Sequence, residues 1–145
     1  MGEAAPADVT ALRRTAELYA LGADRRDKAL WSSILTEDCV IEGPDFTLTG
    51  RDAALASLDF LAASYAATQH RVHNQLVEVH GDSAEGETYS TADHLSRDDT
   101  GEHLLSWALR YQDQWRREGG VWRFNRRTLL LDWQETRAIQ SGEQS

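Results

Sequence analysis

His103-Leu104-Leu105-Ser106-Trp107-Ala108-Leu109-Arg110-Tyr111-Gln112-Asp113-Gln114-Trp115-Arg116 is the stretch that decides the fold. Leu105, Trp107, Leu109, Tyr111 and Trp115 recur at period two, so an extended chain carries all five on one face. Turn signals bound the stretch: Asp98-Asp99-Thr100-Gly101 before it and Glu118-Gly119-Gly120 after it. Beyond those turns the same character continues in His70–His80, Ala84–Arg97 and Val121–Trp133, with Gly81-Asp82 joining the first two. Long strands linked by short glycine-containing turns read as consecutive antiparallel hairpins. In the second strand Ala84, Gly86, Thr88, Ser90, Ala92 and His94 share a face of small residues, which leaves room for a helix or a ligand.

Ahead of the strands the apolar period lengthens. Leu12, Ala16, Tyr19, Ala20 and Ala23 recur at steps of three and four, predicting a helix from an Asp8 N-cap to about Ala23. A shorter helix begins near Asp27 and buries Leu30, Trp31, Ile34 and Leu35. Short strands at Cys39–Ile41 and Phe46–Thr49 flank the turn Gly43-Pro44-Asp45, and a third helix spans about Asp52 to Ala66. Helices first and a meander afterwards is an α+β order. The predicted architecture is a cone-shaped half-barrel: a long, curved, mostly antiparallel sheet wrapped around three N-terminal helices. One domain is expected over residues 1–145, with an ordered core from about residue 8 to 137.

Composition narrows the function classes. The net charge of -9 and a pI near 4.9 disfavour nucleic acid and anionic membrane surfaces as partners. No apolar run is long enough for a membrane span, no signal-peptide pattern opens the chain, and Pro6 breaks the myristoylation pattern after Met1-Gly2. A cytoplasmic location is expected. Cys39 is the single cysteine and sits beside Val40 and Ile41, which reads as a buried strand thiol.

Asp24 extends the apolar stripe of the first helix, where a carboxylate is expensive to bury without a partner. The alternative is that Asp24 caps the following helix. His70, in Thr68-Gln69-His70-Arg71-Val72-His73-Asn74, is the candidate partner, and an Asp–His pair makes a general base. His94, Tyr19 and Tyr89 are candidates to protonate a leaving group or hold an oxyanion. Trp31 and Trp107 are expected at a pocket mouth, and Arg127, deeper in the cone, to steady an anionic group. Arg123 and Arg127 share strand parity, as do His70 and His80, whereas His73 has the opposite parity. That difference disfavours a shared metal site of His70, His73 and His94, and no metal is expected. Asp93 is expected at the surface, pointing away from His94.

Taken in order, Tyr19–Asp24, Leu35-Thr36-Glu37-Asp38, the Thr68-to-Asn74 segment, Gly81-Asp82-Ser83-Ala84 and Gly120-Val121-Trp122-Arg123-Phe124 resemble the SnoaL-like branch of the cone fold typified by nuclear transport factor two. The resemblance covers about Val9 to Trp133. It implies a dehydratase-type lyase or proton-transfer isomerase that needs no cofactor and acts on a small apolar cyclic substrate. Asp24 and His70 match the dyad positions of scytalone dehydratase and of the hexachlorocyclohexane dehydrochlorinase. His94 resembles the second catalytic histidine of the former, and Arg127 lies where the latter has an arginine. The chain departs from these enzymes at Ala23, where the dehydratase has tyrosine, and in having no lysine near Tyr19. A homo-oligomer, dimer or trimer, is implied as well. Two rival readings remain at this point: a non-catalytic carrier or assembly subunit of the same fold, and a polyketide cyclase.

Overall fold

A computed structural model describes residues 4–142. Helix α1 runs Pro6–Arg25, α2 Lys28–Ile34 and α3 Arg51–Ser64. The strands are β1 Leu35–Gly43, β2 Phe46–Thr49, β3 Ala67–His80, β4 Ser83–Asp98, β5 Gly101–Glu118 and β6 Val121–Ile139. They form one sheet in the order β2-β1-β6-β5-β4-β3, antiparallel throughout except for the β1–β6 pair. This is the expected α+β cone, with three helices against the inner face of a curved, mostly antiparallel sheet. No helix among the described residues is long and apolar enough to cross a membrane.

Local chemistry moves several boundaries. Pro6 opens α1 at the position where its fixed φ suits a helix start, with Ala5 as N-cap. Asp8 is therefore not the cap; it sits in the first turn and accepts from Arg117 Nη1 (3.2 Å) and Trp122 Nε1 (3.1 Å). Leu35 pairs with Phe124 as the first residue of β1 and does not belong to α2. At the far end β6 continues to Ile139, and Ser141 donates through its backbone N–H and hydroxyl to Glu102. Ordered structure thus extends past Arg137.

The core lies between helices and sheet: Leu12, Ala16 and Tyr19 of α1, Trp31 and Ile34 of α2, and Leu58 of α3 face Leu109, Trp115 and Phe124. Gly22 lets α1 and α2 close up, because a Cβ there would sit 2.4 Å from Trp31 Cδ1. The period-two faces hold where strands are regular: Ala84 pairs with Trp115, Thr88 with Tyr111, Ala92 with Trp107 and His94 with Leu105.

Bulges overturn parity elsewhere, since one extra residue flips every side chain beyond it. A shift between Val72 and Gln75 carries His80 to the outer face, opposite His70. A second shift, opposite Gln114 and Trp115, places Arg123 (paired with Arg116) and Arg127 (paired with Asp113) on opposite faces. Asp93 does point away from His94, but it is buried rather than at the surface, bonded to Ser106 (2.5 Å) and Arg71 (2.7 Å).

Candidate active site

Asp24 stands in the last turn of α1, level with the first residues of β3. Its carboxylate accepts from the His70 backbone N–H (2.9 and 3.1 Å), from the Thr68 hydroxyl (3.0 Å) and from His70 Nδ1 (2.6 Å). The helix-cap role falls to Asp27, which accepts from Leu30 N at 3.0 Å. Only 12% of the His70 side chain and 21% of the Asp24 side chain are exposed. A carboxylate without its proton can only accept, so this contact puts a ring proton on Nδ1, and in the neutral imidazole Nε2 then carries the lone pair.

His94, one strand further on, is buried. Its ring centroid lies 6.1 Å from that of His70, 4.7 Å from Tyr65 and 5.3 Å from Trp107. Its Nδ1 donates to the Leu105 carbonyl (3.1 Å), which leaves Nε2 as an acceptor. Burial holds its pKa below the ordinary 6.5, with the Leu105 carbonyl acting the other way. The indole N–H of Trp107 is buried and has no partner among the described residues. A buried donor without an acceptor is uncommon and suits a ligand acceptor.

Deeper in the cone Arg127 is 1% exposed. Its Nε and Nη2 donate to Asp113 (2.7 and 3.0 Å), and its guanidinium lies over Tyr111, Phe124 and Tyr19 at 3.6, 4.2 and 4.4 Å. Asp113 also accepts from Thr88 (2.7 Å), whose hydroxyl accepts from Gln75 (3.0 Å).

A SnoaL-like domain model matches residues 5–128. The chain belongs to the SnoaL-like domain family. Among curated proteins no sequence matches it significantly. Solved structures do. A type-2 hexachlorocyclohexane dehydrochlorinase superposes with a TM-score of 0.83 at 23% identity, covering 94% of each chain. A candidate scytalone dehydratase from Novosphingobium aromaticivorans gives 0.79 at 23% identity, over 93% of this chain and 91% of that one. A Mycobacterium tuberculosis protein of unknown function gives 0.76 at 26% identity, over 90% and 78%. These likenesses establish the cone fold.

In this SnoaL-like domain the structure brings together Asp24, His70, His94 and Trp107, and sets Tyr89 on the other face of the sheet. Tyr89 is a correction: it pairs with Arg110 on the outer face and is 40% exposed, because its neighbours Thr88 and Ser90 take the inner parity. Trp31 is a second: it is buried, stacked on Tyr19 at 4.4 Å, and its N–H donates to the Tyr19 carbonyl, so it supports the core rather than a pocket mouth. Tyr19 itself is buried, and its phenol pKa is well above 10, chiefly from burial. It therefore suits hydrogen bonding better than proton donation. Arg127 is paired with Asp113, a partner for its charge that the sequence reading did not supply. His73 lies outside, against Thr91 (2.7 Å), so His70, His73 and His94 do not converge.

Asp113 was missed in the sequence, although a signal was present: it occupies the same period-two face as Leu105 to Trp115, a carboxylate within an aromatic and aliphatic row. A polar groove of about 730 Å³, with Glu78, Glu85, Glu87 and Arg126 among its walls and neither Asp24 nor His70, lies on the outer side of the sheet.

Proposed function

We propose that this SnoaL-like domain is a cofactor-independent lyase or isomerase in which Asp24 and His70 act as an acid–base dyad. The substrate class is a small, apolar cyclic molecule with an acidic proton next to a carbonyl. The observation that carries the reading is the 2.6 Å His70 Nδ1–Asp24 contact, with three further hydrogen bonds fixing the carboxylate.

In the elimination form, His70 Nε2 takes the proton from carbon. The C–H electron pair becomes the new C=C bond as the C–O bond to the leaving hydroxyl breaks. Asp24 stabilises the imidazolium formed meanwhile. The same Nε2–H then protonates the departing hydroxide, so water leaves from the face on which the proton was taken and His70 ends neutral. In the isomerase form, that proton returns to another carbon. His94 with its lowered pKa is a neutral imidazole near neutral pH, and its Nε2 accepts from a substrate hydroxyl. Trp107 Nε1 donates to a substrate oxygen.

Screening cyclic hydroxyketones for water loss tests this. Asp24→Asn and His70→Ala are expected to lower turnover by about 10²–10⁴-fold on any substrate found. Full activity in both variants would show the mechanism to be wrong. We further propose a cytoplasmic homo-oligomer; Trp133 (72% exposed) and Leu76 (82%) on the outer face support an assembly, which light scattering would size.

A further inference from the structure

Arg26 is the one residue other than glycine with positive φ among those described (φ 53, ψ 42). It follows the last turn of α1, where Asp27 N reaches back to Gly22 O (2.9 Å) and Arg26 N to Ala23 O (3.3 Å). This is the helix-ending motif whose left-handed residue is usually glycine, because a Cβ there is strained. A side chain kept at such a position points to use of that side chain.

The Arg26 side chain turns back over the helix end. Its Nη1 donates to the Ala23 carbonyl (2.5 Å) and to Thr68 Oγ1 (2.7 Å). In a chain with 24 acidic residues it forms no ion pair with a carboxylate within 4.0 Å among the described residues. The Thr68 hydroxyl has a single proton. Because it accepts from a guanidinium, that proton is committed to Asp24 Oδ1, 3.0 Å away. The left-handed turn, the arginine, the threonine and the aspartate thus form one chain of hydrogen bonds ending on the dyad.

We propose that Arg26 is a positioning residue for the Asp24–His70 dyad: acting through Thr68, it fixes the Asp24 carboxylate and places a positive charge beside it. This rests on the dyad reading above. Arg26 also accounts for an otherwise costly backbone conformation, since a glycine would end the helix as well and leave Thr68 free to rotate.

Solution NMR of the full chain tests the proposal without a substrate, by following the hydrogen-bonded His70 Nδ1 proton. Arg26→Gly removes the clamp and eases the turn. Its melting midpoint should hold or rise by about 2–4 °C. Meanwhile the Nδ1 proton should move upfield and exchange with solvent about 10-fold faster or more. Thr68→Val should reproduce that change with Arg26 intact, and Thr68→Ser should restore the wild-type signal. An unchanged Nδ1 shift and exchange rate in Arg26→Gly would overturn the proposal and leave Arg26 as a helix terminator. Absence of a protected Nδ1 proton in the wild-type chain would instead remove the dyad reading itself, and the role of Arg26 with it.

Discussion

Asp113→Ala removes one half of a buried ion pair. The Asp113 side chain has no exposed surface and that of Arg127 only 2%, and two hydrogen bonds of 2.7 and 3.0 Å join them. Deleting the carboxylate leaves a guanidinium deep in the cone and takes an acceptor from Thr88 as well. Breaking such a pair from one side costs about 3–5 kcal/mol, because the remaining charge stays desolvated. The faces of Tyr111, Phe124 and Tyr19 still hold the cation, and each such contact contributes about 0.5–2 kcal/mol, so the lower end is expected. For a chain of this size about 3 kcal/mol corresponds to a fall of roughly 10 °C in midpoint. Urea titration followed by circular dichroism, together with a thermal melt, measures it. Asp113→Ala combined with Arg127→Met should recover at least half of the loss, since no lone charge then remains. A single-variant loss below about 1 kcal/mol, the range of an exposed pair, would refute the reasoning. So would a double variant less stable than the single one.

Three further outcomes are expected. The folded-state pKa of His94 lies below the ordinary 6.5, so the unfolded chain binds a proton that the folded chain resists; stability is full above about pH 6.5 and declines as pH falls through that value. His94→Phe should flatten that part of the profile, and denaturant midpoints at pH 5 and 7.5 that differ equally in both proteins would contradict it. Gly22→Ala would gain about 1 kcal/mol of helix propensity, yet the new Cβ meets Trp31 at 2.4 Å; a net loss of about 1–2 kcal/mol is expected in a thermal melt. Trp107→Phe should leave stability unchanged or raise it by about 1 kcal/mol, because it removes a buried N–H without a partner, while weakening ligand binding measured by calorimetry.

Much of the fold is written locally. The alternation over 103–116 and the glycine turns at 81, 101 and 119–120 specify hairpins, because a strand's faces repeat every two residues and left-handed turns favour glycine. The stripe of α1 likewise commits one helical face to the core. Pairing Asp24 with His70 needed the resemblance in addition, since 46 residues separate them and spacing alone does not bring a helix end to a strand.

Tertiary structure decided what local pattern cannot carry. Bulges opposite Ser90–Thr88 and Trp115–Gln114 reversed the faces of His80 and Arg123, because an extra residue answers the curvature of the whole sheet and not the alternation of one strand. Arg127 was readable as a buried candidate, but its partner was chosen by cross-strand register, which sets it opposite Asp113 and under three aromatic rings. Arg26 is the clearest case. The sequence shows one arginine after another at 25 and 26, and only the left-handed turn at the end of α1 sends the second back over Thr68, which bonds Asp24. Composition and periodicity fix which residues prefer the interior; which of the polar ones meet there depends on how helices and sheet close on each other.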